Sequence, residues 1–395
     1  MNKLTIRRGG QVRNRSVDGL RGLAAVSVMF AHFLTASSPF LLTRYYGDWL
    51  AFGTHDYSTH DKIFSFPLVS VFYNGLFAVQ IFFVLSGFVL VNPIVIKDRR
   101  RIIARLISRP VRLGLPILIV SLVSYVIFLL GGYFNIPAGE VSGSRWLSTS
   151  IGTTIPISQG IPLVLYEGMI FGKGDIVPQL WTLRVEFWGS MALLGIAVLS
   201  GSRYALVGIT ALFVGCLSLT GTDWQFFVAF PLGAALSFSP LSGQVVAAFL
   251  FGIGIFLGGF QDGHWLYSLL PAPFENNRAF YSLIGAILLV QSVRSGFLSS
   301  FFNTKLVQFL GRMSFGIYLI HFTVICTIWS WLYLRYVGNT FNIVIITASC
   351  VSLTLFISFI FEKCCDRPSI DLGNSFARWV VRSRDINSNP PEFAT

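Results

Sequence analysis

Two histidines lie deep in apolar runs of this 395-residue chain, each beside groups that bear on proton transfer. The first run, Asp18-Gly-Leu-Arg-Gly-Leu-Ala-Ala-Val-Ser-Val-Met-Phe-Ala-His32, opens on a charge cluster and ends on His32. Arg21 and His32 are eleven positions apart. On an α-helix they share nearly one face and stand about 16 Å apart along its axis. Asp18 joins that face, three residues before Arg21. If the helix spans a bilayer, Arg21 sits at one edge and His32 well inside, where an ionisable group is costly and marks a functional site. A neutral imidazole there can act as general base on an acceptor hydroxyl. The second histidine, His321, follows Ser314 and Tyr318 at helical spacing, so that the three form one stripe. The bland alternative for either histidine is packing against a neighbouring helix that satisfies its ring nitrogens.

Two further groupings carry chemistry. Arg109-Pro-Val-Arg112 sets two guanidiniums three residues apart where a basic run meets an apolar one. Arginine pairs grip phosphates well, so this is a candidate site for the phosphates of a cofactor. The five preceding basic residues read instead as a topology signal. Trp181-Thr-Leu-Arg184-Val-Glu186 places a carboxylate near a helix start, where it needs a partner. Arg184 lies two residues from Glu186 and on a different face, so the two need not pair. Glu186 reads either as half of a buried ion pair or as an acceptor-side carboxylate orienting a base. His55, Asp56, His60 and Asp61 form a loose cluster whose spacing matches no strong metal signature, and no metal is expected. The chain contains no P-loop, no GxSxG elbow and no zinc-protease motif.

The elements that position these residues are helices in a membrane. Hydrophobic residues make up 54% of the chain and charged residues 12%, which excludes an ordinary soluble domain. A net charge of +12 raises the question of nucleic acid, but the basic residues sit in short segments between apolar runs, so no nucleic acid is expected. Apolar runs read as spans at about 18–36, 67–93, 113–132, from 181, 205–220, 224–238, 243–260, 279–293, 306–334 and 341–361. The fold class is therefore an all-α transmembrane helix bundle of about ten spans. Both termini fall on the cytoplasmic side, where most of the 29 Lys and Arg then gather. Residues 1–17 read as a basic cytoplasmic arm, 18–362 as the transmembrane domain and 363–395 as a polar cytoplasmic tail, with Pro368 closing the last helix. The first run lacks a convincing cleavage site and reads as a retained helix. The five cysteines suggest no disulfide framework. The Ser86-Gly87 pair is a place where another backbone could approach closely.

Taken together, five stretches resemble the acyltransferase-3 family of integral membrane acyltransferases. They are Asp18-Gly-Leu-Arg-Gly-Leu-Ala to His32, Phe82-Phe-Val-Leu-Ser-Gly-Phe, Arg109-x-x-Arg112 with Pro116, Trp181-Thr-Leu-x-x-Glu186, and Gly316-Ile-Tyr-Leu-Ile-His321. The resemblance spans roughly residues 15–370 and implies transfer of an acyl group, commonly acetyl, from cytoplasmic acyl-CoA (acetyl-CoA as co-substrate) to a hydroxyl acceptor across the membrane. It implies His32 as the catalytic residue and Arg109 and Arg112 as contacts to acyl-CoA, while Glu186, Tyr318 and His321 match family positions of less defined role. With these the expected catalytic residues are His32, Glu186 and His321, and the expected donor contacts are Arg109, Arg112, Tyr318 and, from its place on the basic side, Arg21. Many relatives have an uncharged residue where Arg184 stands. Some carry a fused SGNH hydrolase-like domain, which this chain is not expected to have. The expected partners are acyl-CoA, a carbohydrate or glycolipid acceptor, membrane lipids and polysaccharide-assembly proteins, and the expected location is a bacterial inner membrane. The rival readings are a transporter or flippase for a lipid-linked glycan or small anion, and a scaffold subunit of an assembly complex.

Overall fold

Helix α1 begins where the sequence supplies a cap. The Asn14 side chain accepts from the backbone N–H of Ser16 at 3.1 Å and of Val17 at 3.4 Å, and α1 runs over Arg15–Ser37. The computed structural model describes residues 5–6, 12–53, 59–200, 203–218 and 223–388. Apart from antiparallel two-residue strands, Thr5–Ile6 with Val12–Arg13, and one isolated bridge, those residues form helices and their connections. The principal helices are α1, α2 (Gly75–Leu90), α3 (Arg99–Leu129), α4 (Asn135–Ser142), α5 (Arg145–Thr149), α6 (Leu180–Ser200), α7 (Arg203–Ser218), α8 (Trp224–Phe238), α9 (Gln244–Gly258), α10 (Asn277–Arg294), α11 (Lys305–Val324), α12 (Thr340–Phe361) and α13 (Arg367–Ser388).

Among the described residues, five helices are long and apolar enough to cross a membrane, and a sixth is added if Pro67–Tyr73 and α2 form one span. That pair is bent by 60° at Asn74, whose side chain accepts from the N–H of Leu76 and Phe77 to restart the helix. Several runs read as spans from sequence form shorter apolar helices of 10–17 residues, among them α8 and α9. The basic run between the spans at 67–93 and 113–132, which span counting leaves as a connection, is helical. It forms the first turns of α3, capped by Asp98, because arginine is a good helix former. At 31 residues α3 is about 46 Å long, more than a hydrocarbon core of about 30 Å needs, so its arginine turns project beyond that core. Nor does Pro368 end the last helix. Thr340–Val381 is continuous, with a π-helical turn at Glu362–Asp366 just before the proline. A wider turn can admit the ring that a regular α-helix would exclude.

Glycines set two close helix crossings. Built on Gly87, a Cβ would collide with Phe230 O of α8, and one on Gly233 with Val84 O of α2, so these backbones touch where the Ser86-Gly87 pair suggests. Likewise Gly22 abuts the Gly311 backbone and Gly311 abuts Asp18 O. Contacts of Gly19 with Gln308, Gly22 with Gly311 and His32 with His321 advance together, so α1 and α11 run parallel. Both histidines lie ten residues beyond their contacting glycine, which brings them level. Gly22→Ala should therefore lower stability by about 1–3 kcal/mol by forcing the backbones apart. Gly195→Ala, whose Cβ meets nothing within 4 Å, should be neutral or stabilising by up to about 1 kcal/mol. Thermal unfolding in detergent compares the two. Equal melting of both variants would remove the crossing as a constraint.

Candidate active site

The histidines of α1 and α11 are hydrogen-bonded, His32 Nδ1 to His321 Nε2 at 2.7 Å. His321 is fully buried, and its Nδ1 lies 2.8 Å from Ile317 O. A carbonyl oxygen only accepts, so His321 Nδ1 carries a proton and donates it. With both rings neutral, His321 Nε2 is then the acceptor and His32 Nδ1 the donor. That order leaves His32 Nε2 with a free lone pair, the form a general base needs. The Trp146 indole stacks on His32 with ring centroids 5.1 Å apart, and Phe322 meets the same imidazole edge-on at 6.0 Å. Trp146 comes from α5, which is tied to the end of α1 by Ser144 Oγ donating to Thr35 O at 2.7 Å.

A cavity of about 1430 Å³ occupies the end of the bundle where α1, α3 and α11 begin and α2 ends. Its wall includes Arg21, Arg105, Arg109, Arg112, Arg294 and Arg312. These arginines are not equivalent. Arg109 forms a buried ion pair with Glu186 and donates from Nε to Ser190 Oγ at 3.0 Å. The same Glu186 oxygen accepts from Ser86 Oγ at 2.7 Å. Arg105 donates to Val89 O at 2.8 Å and Leu90 O, closing the end of α2. Arg294 donates to Ser239 O at 2.7 Å and Pro240 O at 2.9 Å. Arg21, Arg112 and Arg312 make no ion pair or hydrogen bond among the described residues, although Asp366 of the same wall lies in the field of Arg112 and Arg21, and Arg312 lies over the Phe309 ring at 5.6 Å. Their guanidinium donors are thus left for an anion in the cavity. Tyr318 and Thr182 also line the cavity, their hydroxyls 2.5 Å apart. The Tyr318 ring lies 6.0 Å from that of His321. Tyr318 thus connects the cavity wall to the histidine pair.

The candidate residues thus divide into two groups. His32 and His321 are brought together. Arg21, Arg109, Arg112, Glu186 and Tyr318 share the cavity, which neither histidine lines. Glu186 is not against His32: its partners are Arg109 and Ser86. Arg184 instead pairs with Asp223 at 2.9 Å. His55 and Asp56 lie outside the described residues, as does the side chain of His60, and no group of three or more potential metal ligands occurs among the described ones. Sequence reasoning missed Trp146, whose surroundings have no periodicity to mark it, and Arg312 and the α13 residues at the cavity mouth. The equal ten-residue spacing from Gly22 to His32 and from Gly311 to His321 was a usable signal for the histidine pair.

One family model, described as an acyltransferase domain, matches residues 14–363. No curated protein and no solved structure matches the chain.

Proposed function

Because the chain belongs to the acyltransferase-3 family of membrane acyltransferases, we propose that it moves an acyl group, acetyl in the simplest case, from acyl-CoA to a hydroxyl of a carbohydrate or glycolipid on the opposite side of the membrane. The observation that carries this reading is the fixed proton order from Ile317 O through His321 to His32. In the proposed reaction His32 Nε2 removes the acceptor's hydroxyl proton. The oxygen then attacks the thioester carbonyl, the C–S bond breaks, and the sulfur leaves with the proton that His32 returns. Trp146 keeps the imidazole from turning away from this geometry.

The arginine cavity supports a polyanionic donor. Its volume exceeds that of an ordinary pocket for a drug-sized ligand, and Arg21, Arg112 and Arg312 offer guanidinium donors to phosphates. CoA is then held on the basic, cytoplasmic side in a bundle of about ten spans with both termini cytoplasmic, as suits a bacterial inner membrane. In this reading its pantetheine arm runs past Tyr318, which lines the cavity and faces His321, towards His32. The acceptor arrives from the side of α5, alone or presented by polysaccharide-assembly proteins. A transporter reading would draw on the broken helix at Asn74. The groups freed there are used locally, since Asn74 caps α2 and donates to Gly258 O at 2.8 Å.

The test is acyl transfer by the purified chain in lipid, with labelled acetyl-CoA and a panel of glycans. Label should appear on a glycan. Arg112→Ala should raise the KM for acetyl-CoA about 10–100-fold, the loss expected for hydrogen bonds to a charged group. Folded protein that neither binds CoA nor transfers label to any acceptor would move the assignment to transport.

A further inference from the structure

The family match ends at residue 363, yet the helix beyond it forms part of the site. Ser369, Gly373 and Ala377, spaced four apart, are buried along one face of α13. A Cβ on Gly373 would lie 2.9 Å from Ser108 O and 3.6 Å from Val111 Cβ, so α13 rests directly on the stretch of α3 that carries Arg109 and Arg112. Its next face carries Arg367, Ile370, Asp371 and Asn374, all of which line the cavity. Arg367 is held by Glu362 at 2.6 Å. Asp371 and Asn374, one turn apart and exposed, make no hydrogen bond or ion pair among the described residues.

The chemistry of these two residues differs from that of Arg21, Arg112 and Arg312 in the same wall. A guanidinium selects phosphate, whereas a carboxylate repels it. Other carboxylates line the cavity too, but Glu186 is paired with Arg109, Glu362 with Arg367, and Asp366 faces Arg112 and Arg21. Asp371 has no ion pair among the described residues, and in a polyanion's cavity it suits a neutral, donor-bearing part of the ligand. In CoA the ribose 3′-hydroxyl carries a phosphate, so the neutral donors left at the nucleoside end are the 2′-hydroxyl and, farther from that phosphate, the N6 amino group of the base, from which a carboxylate accepts well. A side-chain amide matches the N6/N7 edge of adenine with one donor and one acceptor. We propose that α13 is the nucleoside-reading wall of the cavity, with Asp371 and Asn374 as specificity-determining residues for the adenosine end of the donor. The inference rests on the reading of the cavity as an acyl-CoA site.

Direct binding to the full chain in nanodiscs tests it without needing the acceptor, using CoA, 3′-dephospho-CoA and 4′-phosphopantetheine. The second keeps the nucleoside but not its 3′-phosphate and should weaken in the variants as CoA does, and the third lacks both. Asp371→Ala and Asn374→Ala should each weaken CoA binding about tenfold, one lost polar contact, and leave 4′-phosphopantetheine affinity unchanged. Gly373→Leu, which pushes α13 off α3, should weaken CoA binding further. If that variant does not fold, the two alanine variants still decide. Unchanged CoA affinity, a loss for CoA without one for 3′-dephospho-CoA, or an equal loss for CoA and 4′-phosphopantetheine overturns the role of α13 while leaving the cavity's assignment intact. Wild-type protein that binds none of these ligands overturns the acyl-CoA reading and this inference with it.

Discussion

His32→Gln, in protein that still folds, should slow acyl transfer by about 10²–10⁴-fold while leaving the Kd for CoA unchanged. The separation of the two effects follows from the geometry, because His32 does not line the arginine cavity. Glutamine keeps a polar side chain beside His321 Nε2 but cannot accept and return a proton. His321→Ala should reproduce part of the loss. Without it His32 Nδ1 has no fixed acceptor, and the ring can adopt the tautomer whose Nε2 already holds a proton. The drop should appear in kcat, measured with labelled acetyl-CoA at saturation. Near-normal turnover in His32→Gln would refute the general-base role. Leaving out the acceptor separates direct transfer from a histidine-linked intermediate, since only the latter leaves label on the protein.

The reach of the sequence is uneven for physical reasons. His32 and its helix were legible because an ionisable residue inside an apolar run is rare and costly. Close approach at Ser86-Gly87 was legible too, because a glycine beside a small residue on an apolar helix leaves room for a backbone. Pairing between helices was not. Nothing local says that Arg109 meets Glu186 rather than a ligand, or that Arg184 finds Asp223. The cavity wall formed by α13 was hidden because its polar sequence and Pro368 read as the end of structure, whereas a π-turn carries the helix through. Span counting suffers from a related ambiguity. An apolar run of about fifteen residues, such as α8 or α9, has the composition of a span without the length of a regular one.

Glu186→Gln should cost about 3–5 kcal/mol of stability, much of what a folded domain has to lose. The substitution keeps the side chain's shape and its contact with Ser86, but it leaves the Arg109 charge uncompensated. Glu186 is 9% and Arg109 7% exposed, so water in the cavity they line replaces the missing partner only in part. Removing both charges together, as Arg109→Met with Glu186→Gln, should destabilise less than the sum of the single changes, because no buried charge then stands alone. A double-mutant cycle on denaturant unfolding in detergent measures this coupling, and a cycle that sums to zero would show that the two side chains do not depend on each other. The same pairing bears on the donor site. A guanidinium already neutralised by Glu186 has less attraction left for phosphate, so Arg109→Met in the double variant should weaken CoA binding less than Arg112→Ala does. If instead Arg109 is the stronger contact, its Nη1 donors, which neither Glu186 nor Ser190 takes, carry the phosphate while the ion pair persists.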